Sequence, residues 1–219
     1  MVLFISGIDT NIGKSIAVAY LYKKMLAEGV HVITQKLIQT GCIGMSEDIE
    51  MHRKMAGVPF SEEDEKGLTC PYVFTHPCSP HLAAEIDRQV IDISYLTACT
   101  KQLEALYDVV LLEGAGGLMV PISREMLMID YVAEQKYPVI LVTSGRLGSL
   151  NHTLLSLEAL KNRNMELHSI IYNKYPSSDE LIEADSLRFI TEYCKKHFSN
   201  AKVELLPAIF DPQSCKSPK

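Results

Sequence analysis

A glycine-rich segment with a lysine and a serine follows the first apolar stretch of the chain and constrains its fold more than any other feature. Residues 2–6 form a mostly apolar run that ends in Ser6, and Gly7-Ile8-Asp9-Thr10-Asn11-Ile12-Gly13-Lys14-Ser15 follows before a helical pattern begins. Backbone N–H groups turned inward at a helix N-terminus form a cradle for phosphates. The lysine supplies charge to the β- and γ-phosphate oxygens, and the serine hydroxyl can bind Mg²⁺. The segment therefore predicts a phosphate-binding loop, lengthened by one residue relative to the common pattern.

Short apolar runs alternate with longer segments of helical periodicity. The runs are rich in Val, Ile and Leu at consecutive positions, which is typical of strands buried on both faces; they cover residues 2–6, 31–37, 108–112, 138–143, 167–172 and 203–206. Helical spacing covers residues 15–28, 93–106, 149–162 and 179–198. This order predicts the α/β class: a doubly wound, mostly parallel sheet with helices on both faces, resembling P-loop NTPases. Residues 41–92 interrupt the alternation, and long irregular connections often build sites.

Size and charge predict one domain without a nucleic-acid or membrane partner. A chain of 219 residues, 47% of them hydrophobic, suits one domain over residues 1–210, followed by a polar tail, 211–219, that we expect to be disordered. The net charge of −6 disfavours a surface for nucleic acid or anionic lipid. The chain starts without a basic leader and lacks an apolar run of about 20 residues, which predicts a cytoplasmic protein.

Charged residues follow two of the predicted strands, at the sheet edge where doubly wound folds bind ligands. Lys36 is the last residue but one of the second run, and with Lys14 it would place two positive charges around a transferring phosphoryl group. Glu113 follows the third run, where it is predicted to hold Mg²⁺ directly or through water. The alternative is that Glu113 only caps the glycine-rich turn Gly114-Ala115-Gly116-Gly117.

A second carboxylate for the metal is predicted in the insertion. Asp48 is the candidate, with Glu47 or Glu50 as substitutes, although acidic residues also favour a helix start. The hydroxyls of Thr10 and Thr40 are candidates for hydrogen bonds to the same phosphate oxygens.

A helix start after the fourth long run is a candidate anion site. The segment Gly145-Arg146-Leu147-Gly148-Ser149-Leu150-Asn151-His152 opens the helical pattern, and such a start suits a carboxylate or phosphate. The alternative is that Ser149 serves only as the N-cap. His81 and His152 have no visible nucleophile beside them, so no acid–base role is predicted for them.

Taken in order along the chain, these motifs resemble those of the dethiobiotin synthetase family, the ATP-dependent enzymes that close the ureido ring in biotin synthesis. Besides the phosphate loop, the resemblance rests on Lys36 to Thr40, Ser79-Pro80-His81, Glu113 to Gly117 with Val120-Pro121, and Leu147 to His152. It runs from about residue 3 to residue 209. Leu37 departs from the pattern, because the family commonly has proline there.

The resemblance implies a ligase reaction on 7,8-diaminononanoate and CO₂, with ATP and Mg²⁺. CO₂ forms a carbamate on one amine, ATP phosphorylates it, and the second amine closes the ring with release of phosphate. It also implies a homodimer whose substrate site lies at the subunit interface.

The resemblance assigns roles to residues by their place in the motifs. Lys14, Lys36, Thr10 and Thr40 are implied to be catalytic, and Ser15, Asp48 and Glu113 to be metal-directed. Thr40 is implied to bind the carbamate end of the substrate. The helix start of the other subunit is implied to bind the substrate's carboxylate. That start comprises Gly148, Ser149, Leu150 and Asn151. The nucleotide is implied to contact Asn11, Ile12, Gly13, Lys14, Ser15, Ile16, Asp48, Glu113, Gly114, Ala115, Gly116, Asn173, Pro207, Ala208 and Ile209.

Two other functions use the same phosphate loop. One is a related ATP-dependent ligase on another small substrate, which should lack the combined set of Lys36, Ser79-Pro80-His81 and the helix-start motif. The other is a regulatory ATPase of the partitioning type. Such ATPases carry a further lysine near the start of the loop, where this chain has Ile8 and Asp9.

Overall fold

The structure is a computed structural model that describes residues 1–175 and 179–207. The strands are β1 (Val2–Gly7), β2 (Val32–Lys36), β3 (Gln39–Thr40), β4 (Val73–Phe74), β5 (Val109–Gly117), β6 (Val139–Ser144), β7 (Leu167–Asn173) and β8 (Lys202–Leu205). The helices are α1 (Lys14–Ala27), α2 (Glu47–Ala56), α3 (Glu62–Glu65), α4 (Pro80–Ile86), α5 (Ile93–Leu106), α6 (Met128–Gln135), α7 (Ser149–Asn162) and α8 (Glu180–His197).

The long strands form one parallel sheet in the order β2-β5-β1-β6-β7-β8. Each neighbouring pair among them is parallel, while β3 and β4 form a separate two-stranded parallel sheet. β1 lies inside the sheet between β5 and β6, so the phosphate loop that follows it emerges from the middle of the carboxyl edge. The predicted doubly wound α/β fold is confirmed.

Apolar side chains fill both faces of the sheet, which explains the consecutive apolar runs. Along β1, Phe4 belongs to one buried cluster, whereas Leu3 and Ile5 belong to the other. The first cluster includes residues of α5, α6, α7 and α8, and the second includes residues of α1. Because successive strand residues point to opposite faces, a strand covered on both sides must be apolar throughout.

The insertion that interrupts the alternation, residues 41–92, contains α2, α3, β4 and α4, and β3 directly precedes it. Its helix α2 packs on α1 and so lies beside the phosphate loop. Ser46 caps α2: its hydroxyl accepts a hydrogen bond from the backbone N–H of Ile49, and three acidic residues in the first turn favour the helix N-terminus.

Some details of the chain differ from the sequence prediction. The prediction of a glycine-rich turn after Glu113 is wrong, because Gly114 to Gly117 continue the strand β5. A Cβ on Gly114 would lie 2.6 Å from the Cζ atom of Phe4, so packing against that ring requires glycine there. Helix α6 was not predicted, and the predicted tail 211–219 lies outside the described residues. Across the described ranges, no helix combines the length and apolarity needed to cross a bilayer.

Candidate active site

The phosphate loop joins β1 to α1 and depends on glycine where the helix begins. Gly13 is the N-cap of α1 at φ 96°, a left-handed conformation that costs an L-residue energy. The side chain of Asn173, at the end of β7, donates a hydrogen bond to the carbonyl of Ile12 at 3.0 Å. A Cβ on Gly13 would lie 2.5 Å from Asn173 Nδ2, so Asn173 closes over the loop at its closest point.

Lys14 is the first residue of α1 and is almost fully buried at 7% exposure. Its ammonium group donates a hydrogen bond to the carbonyl of Asp9 at 3.3 Å, so it stays within the loop. Burial lowers the pKa of Lys14, the charge of Lys36 lowers it further, and the negative charge of Glu113 only partly opposes this. A buried ammonium group that donates to a carbonyl oxygen instead of a carboxylate is suited to receive phosphate oxygens.

Two carboxylates converge on one serine hydroxyl next to Lys14. Ser15 Oγ lies 2.8 Å from Asp48 Oδ1 and 2.9 Å from Glu113 Oε1. Lys36 Nζ lies 2.6 Å from Asp48 Oδ2 and 2.8 Å from Glu113 Oε1, and it also donates to the carbonyl of Gly114 at 3.2 Å. We call Ser15, Lys36, Asp48 and Glu113 the carboxylate cluster; its members come from α1, β2, α2 and β5.

The charges of the carboxylate cluster stabilise one another inside the protein. Burial raises the pKa of Glu113, but the charge of Lys36 and the hydrogen bond from His52 outweigh it and hold the pKa well below its usual range. Burial lowers the pKa of Lys36, but Glu113 and Asp48 together raise it above its usual range. Glu113 is therefore ionised and Lys36 is charged at neutral pH. A bound cation can replace Lys36 beside Glu113, and a bound anion can replace Glu113 beside Lys36.

The structure distinguishes the acidic residues at the start of α2. Asp48 is turned into the carboxylate cluster, whereas Glu47 and Glu50 are exposed on the other faces of the helix. Glu113 does not cap a turn, because it lies within β5 and its carboxylate faces the cluster.

The oxygen atoms of the carboxylate cluster fit a magnesium ion. Mg²⁺ is bound in nucleotide sites by one or two carboxylates, a hydroxyl and phosphate oxygens, and the cluster offers the protein part of this set. Its Asp48 and Glu113 oxygens already lie within 3 Å of a cationic group, the ammonium of Lys36.

The predicted anion site at the start of α7 is held beside the phosphate loop. Arg146 forms an ion pair with Asp9, which joins the two segments. Gly148 is the N-cap of α7 at φ 90°, so the alternative in which Ser149 is the cap is wrong. Ser149 is buried, with its hydroxyl 3.0 Å from Ser144 Oγ, whereas Gly148 and Asn151 are exposed and Leu150 is half-buried.

The remaining predicted residues lie around this edge of the sheet. Thr10 and Asn11 are exposed on the phosphate loop, Ile16 is half-buried in α1, and Thr40 is half-buried at the end of β3. Ala115 and Gly116 belong to β5, and Pro207 follows β8. Ala208 and Ile209, predicted to contact the nucleotide, lie outside the described residues.

Sequence reasoning missed His52, which is fully buried behind Glu113. His52 Nε2 lies 2.9 Å from Glu113 Oε2, on the side of the carboxylate away from Ser15. Asp48 and His52 are four residues apart on α2, a spacing that places both on one helix face. That spacing was the available signal, but it gains meaning only once Asp48 is known to face the site.

Comparison with known proteins identifies close relatives over nearly the whole chain. A family model described as an AAA domain matches residues 1–210. The ATP-dependent dethiobiotin synthetase BioD 2 of Pasteurella multocida is 50% identical over 95% of this chain and 98% of its own length. BioD 2 of Haemophilus influenzae is 53% identical over 83% of this chain and 95% of its own length. BioD of Chlorobaculum tepidum is 48% identical over 92% of this chain and 85% of its own length.

Solved structures with a similar fold are more distant in sequence. A ParA family ATPase from Chlorobium tepidum gives a TM-score of 0.50 at 14% identity, covering 93% of this chain and 84% of that one. The signal recognition particle receptor FtsY from Elizabethkingia anophelis, in complex with GDP, gives a TM-score of 0.50 at 15% identity. That likeness covers 92% of this chain and 55% of the FtsY chain. At such identities the likeness concerns the fold alone.

Proposed function

The chain belongs to the ATP-dependent dethiobiotin synthetase family, and from that membership we propose that it converts 7,8-diaminononanoate and CO₂ to dethiobiotin, with ATP cleaved to ADP and phosphate. We assign this activity to residues 1–210. The carboxylate cluster beside the phosphate loop is the observation that carries the proposal, because it sets a lysine and a metal-type oxygen set next to a phosphate cradle.

The phosphate loop binds the triphosphate through its backbone N–H groups and Lys14. Within residues 1–175 and 179–207, the buried Lys14 donates to a carbonyl of its own loop, and phosphate oxygens can replace that weak partner at little cost. Asn173 contacts the loop from the end of β7, and Pro207 follows β8; we assign both residues to the adenine. Ala208 and Ile209 are assigned to the same contact by family resemblance.

Ser15, Asp48 and Glu113 are assigned to Mg²⁺. When bound, the ion neutralises charge on the phosphate oxygens and so favours transfer of the phosphoryl group. The chain prepares for this by keeping Glu113 ionised through Lys36 and a hydrogen bond from His52.

Lys36 has the further task of stabilising charge on the substrate and the transferring phosphoryl group. In this structure its ammonium group is balanced by Asp48 and Glu113. If Asp48 and Glu113 held a metal, the ammonium group of Lys36 would be available to the carbamate and γ-phosphate oxygens, which carry the developing charge. Thr10 and Thr40 are assigned as hydrogen-bond donors to these oxygens. The reaction in this proposal needs no covalent intermediate with the protein.

A second copy of the chain completes the substrate site in this proposal. The start of α7, residues 148–151, is assigned to the substrate carboxylate of the other subunit. Two large apolar side chains near it are highly exposed, Leu147 at 83% and Leu155 at 61%. Burial of such side chains in a homodimer is favourable at about 25 cal/mol per Å² of apolar area. All reactants are water-soluble, which fits a cytoplasmic enzyme.

The test is phosphate release from ATP with Mg²⁺ and bicarbonate, measured with and without 7,8-diaminononanoate, with the product identified by mass. We expect release only with the diamine, and a product heavier than the diamine by one carbonyl bridge in place of two hydrogens. Release that ignores the diamine would contradict the proposal and favour a regulatory ATPase. Release that requires a different amine or carboxylate would instead identify a related ligase.

A further inference from the structure

His52 stands behind the carboxylate cluster and contacts it through one oxygen atom only. Its ring is fully buried at 0% exposure. Nε2 lies 2.9 Å from Glu113 Oε2, whereas Ser15 and Lys36 both contact the other oxygen, Glu113 Oε1. The two oxygens of Glu113 therefore have separate partners on opposite sides.

The other ring nitrogen of His52 is held by a threonine whose own partner is fixed. His52 Nδ1 lies 3.1 Å from Thr34 Oγ1, on the middle of β2. Arg53 Nη1 donates to the same Thr34 oxygen at 2.7 Å. Because a guanidinium group can only donate, Thr34 Oγ1 accepts from Arg53, and its hydroxyl hydrogen can be donated to Nδ1.

Arg53 is itself fixed by a buried carboxylate. Its Nε and Nη2 atoms donate to the two oxygens of Asp64 at 2.8 Å each. Asp64 also accepts from the hydroxyl of Thr69 at 2.7 Å and from the backbone N–H of Ser61 at 2.8 Å. The planar fork of arginine fits a carboxylate in one orientation, so the position of Nη1 at Thr34 is set by α3.

The contact with Glu113 requires a hydrogen on Nε2 of His52, because an ionised carboxylate can only accept. If Nδ1 accepts from Thr34, a neutral ring carries its hydrogen on Nε2 and donates it to Glu113 Oε2. Arg53, Thr34 and His52 thus form a directed chain of hydrogen bonds that ends on the carboxylate.

We propose that His52 is a positioning residue for the metal site: it holds Glu113 Oε2 so that Oε1 alone faces Ser15 and the metal. The inference rests on the proposed function, since it assumes that Glu113 serves Mg²⁺. Hydrogen-bonded partners behind a metal ligand fix its orientation, and their loss typically costs about 10- to 100-fold in metal affinity.

Helix α2 thereby acts on both carboxylates of the cluster at once. Asp48 and His52 lie four residues apart and face the cluster together, one as a carboxylate and the other as the support of Glu113. The docking of α2 on α1 therefore sets the geometry of both carboxylates.

Three substitutions separate positioning from packing. In His52→Gln, the side-chain amide nitrogen can take the place of Nε2 and still donate to Glu113. In His52→Asn, the amide reaches only the Nδ1 position, so it keeps the contact with Thr34 and loses the one with Glu113. His52→Leu removes both and keeps the buried volume approximately constant.

The measurement is binding of Mn²⁺ in the presence of ADP, followed by electron paramagnetic resonance, with ADP affinity measured separately without metal. We expect the dissociation constant of Mn²⁺ to rise about tenfold in His52→Asn and His52→Leu. In His52→Gln it should stay near that of the unsubstituted protein, and ADP affinity without metal should be the same in all. A merely structural role would instead follow thermal stability and reduce both affinities together.

Equal Mn²⁺ affinity in all variants, or equal loss in His52→Gln and His52→Leu, would overturn the inference. Failure of the unsubstituted protein to bind Mn²⁺ with ADP would overturn it together with the proposed metal site. If the expected pattern appears but phosphate release does not need 7,8-diaminononanoate, the inference stands and only the proposed function fails.

Discussion

Lys36 and Glu113 are direct partners in the parallel pairing of β2 with β5, and Lys36 Nζ lies 2.8 Å from Glu113 Oε1. The sheet register itself thus brings the ammonium group onto the carboxylate. A slip of one residue would turn one of the two side chains to the opposite face. The ion pair occupies the oxygen that the metal is proposed to use, and this competition leads to the first prediction.

Replacing Lys36 should have opposite effects on metal binding and turnover. In Lys36→Met the competing cation is lost, so Mn²⁺ affinity without nucleotide should rise, while phosphate release should fall at least about 100-fold. The buried carboxylate of Glu113 and the half-buried one of Asp48 lose their partner, which should destabilise the protein by about 3 kcal/mol, and Mg²⁺ should restore part of this. Metal titration and thermal unfolding with and without Mg²⁺ test this. Unchanged metal affinity would contradict it.

Only one of the acidic residues at the start of α2 should serve the metal. Asp48→Asn removes a charge from the carboxylate cluster, so we expect the KM for Mg²⁺ to rise about tenfold. Glu47→Gln and Glu50→Gln remove equal charges from exposed positions of the same helix turn and are matched controls. Steady-state kinetics at varied Mg²⁺ measures all three. Similar effects at the three positions would show that net charge alone matters.

Position 13 should require glycine for two reasons, the left-handed backbone and the close approach of the Asn173 side chain. Gly13→Ala places a Cβ 2.5 Å from Asn173 Nδ2, so ATP binding should be lost as the loop is displaced. Gly29→Ala is the control, because Gly29 has φ +79° but nothing within 4 Å of an added Cβ. The left-handed backbone should cost each variant about 1 kcal/mol of stability, and the overlap with Asn173 should add to this loss in Gly13→Ala alone. Nucleotide titration separates them, and retained binding in Gly13→Ala would refute the role of the close approach.

The Arg53–Asp64 ion pair should stabilise the fold in a pH-dependent way. Burial raises the pKa of Asp64, but hydrogen bonds from Arg53, Ser61 and Thr69 lower it below its ordinary value of 3.8. The carboxylate therefore stabilises the fold above about pH 4, and this contribution is lost as the pH falls through the folded-state pKa.

Asp64→Asn leaves Arg53 buried without its partner and should cost about 3 kcal/mol at neutral pH. The difference from the unsubstituted protein should shrink below about pH 4. Urea unfolding from about pH 3 to about pH 7 measures it, with Glu65→Gln, an exposed position of the same helix, as control. A difference independent of pH would argue against the ion pair as the cause.

Charge introduced on the exposed side of α7 should separate the proposed subunits. Leu155→Asp puts a carboxylate into the apolar surface near the start of α7, which should shift the protein towards monomer and raise the KM for the diamine. Leu181→Asp on α8 is the control, since Leu181 is 82% exposed and lies on another helix. Analytical ultracentrifugation and kinetics follow the two effects. Monomers with unchanged KM would oppose a shared substrate site.

Local patterns in the sequence were enough for the phosphate loop and the fold class. Consecutive apolar residues predict strands buried on both faces, and the predicted bounds of the strand before the loop differ from β1 by one residue. Weak local signals failed: the short helix α6 was not recognised, and Gly114 to Gly117 were interpreted as a turn, although they continue β5.

The sequence by itself determined that a phosphate loop follows the first strand and that Lys36 and Glu113 belong to strands of the parallel sheet, because these features depend on neighbouring residues. Only the tertiary structure decided that Asp48, rather than Glu47 or Glu50, meets Ser15, and that His52 supports Glu113 from behind. Those contacts join residues separated by 33 and 61 positions. They exist because β2 pairs with β5 and α2 packs on α1, and no local pattern encodes which side chains then meet.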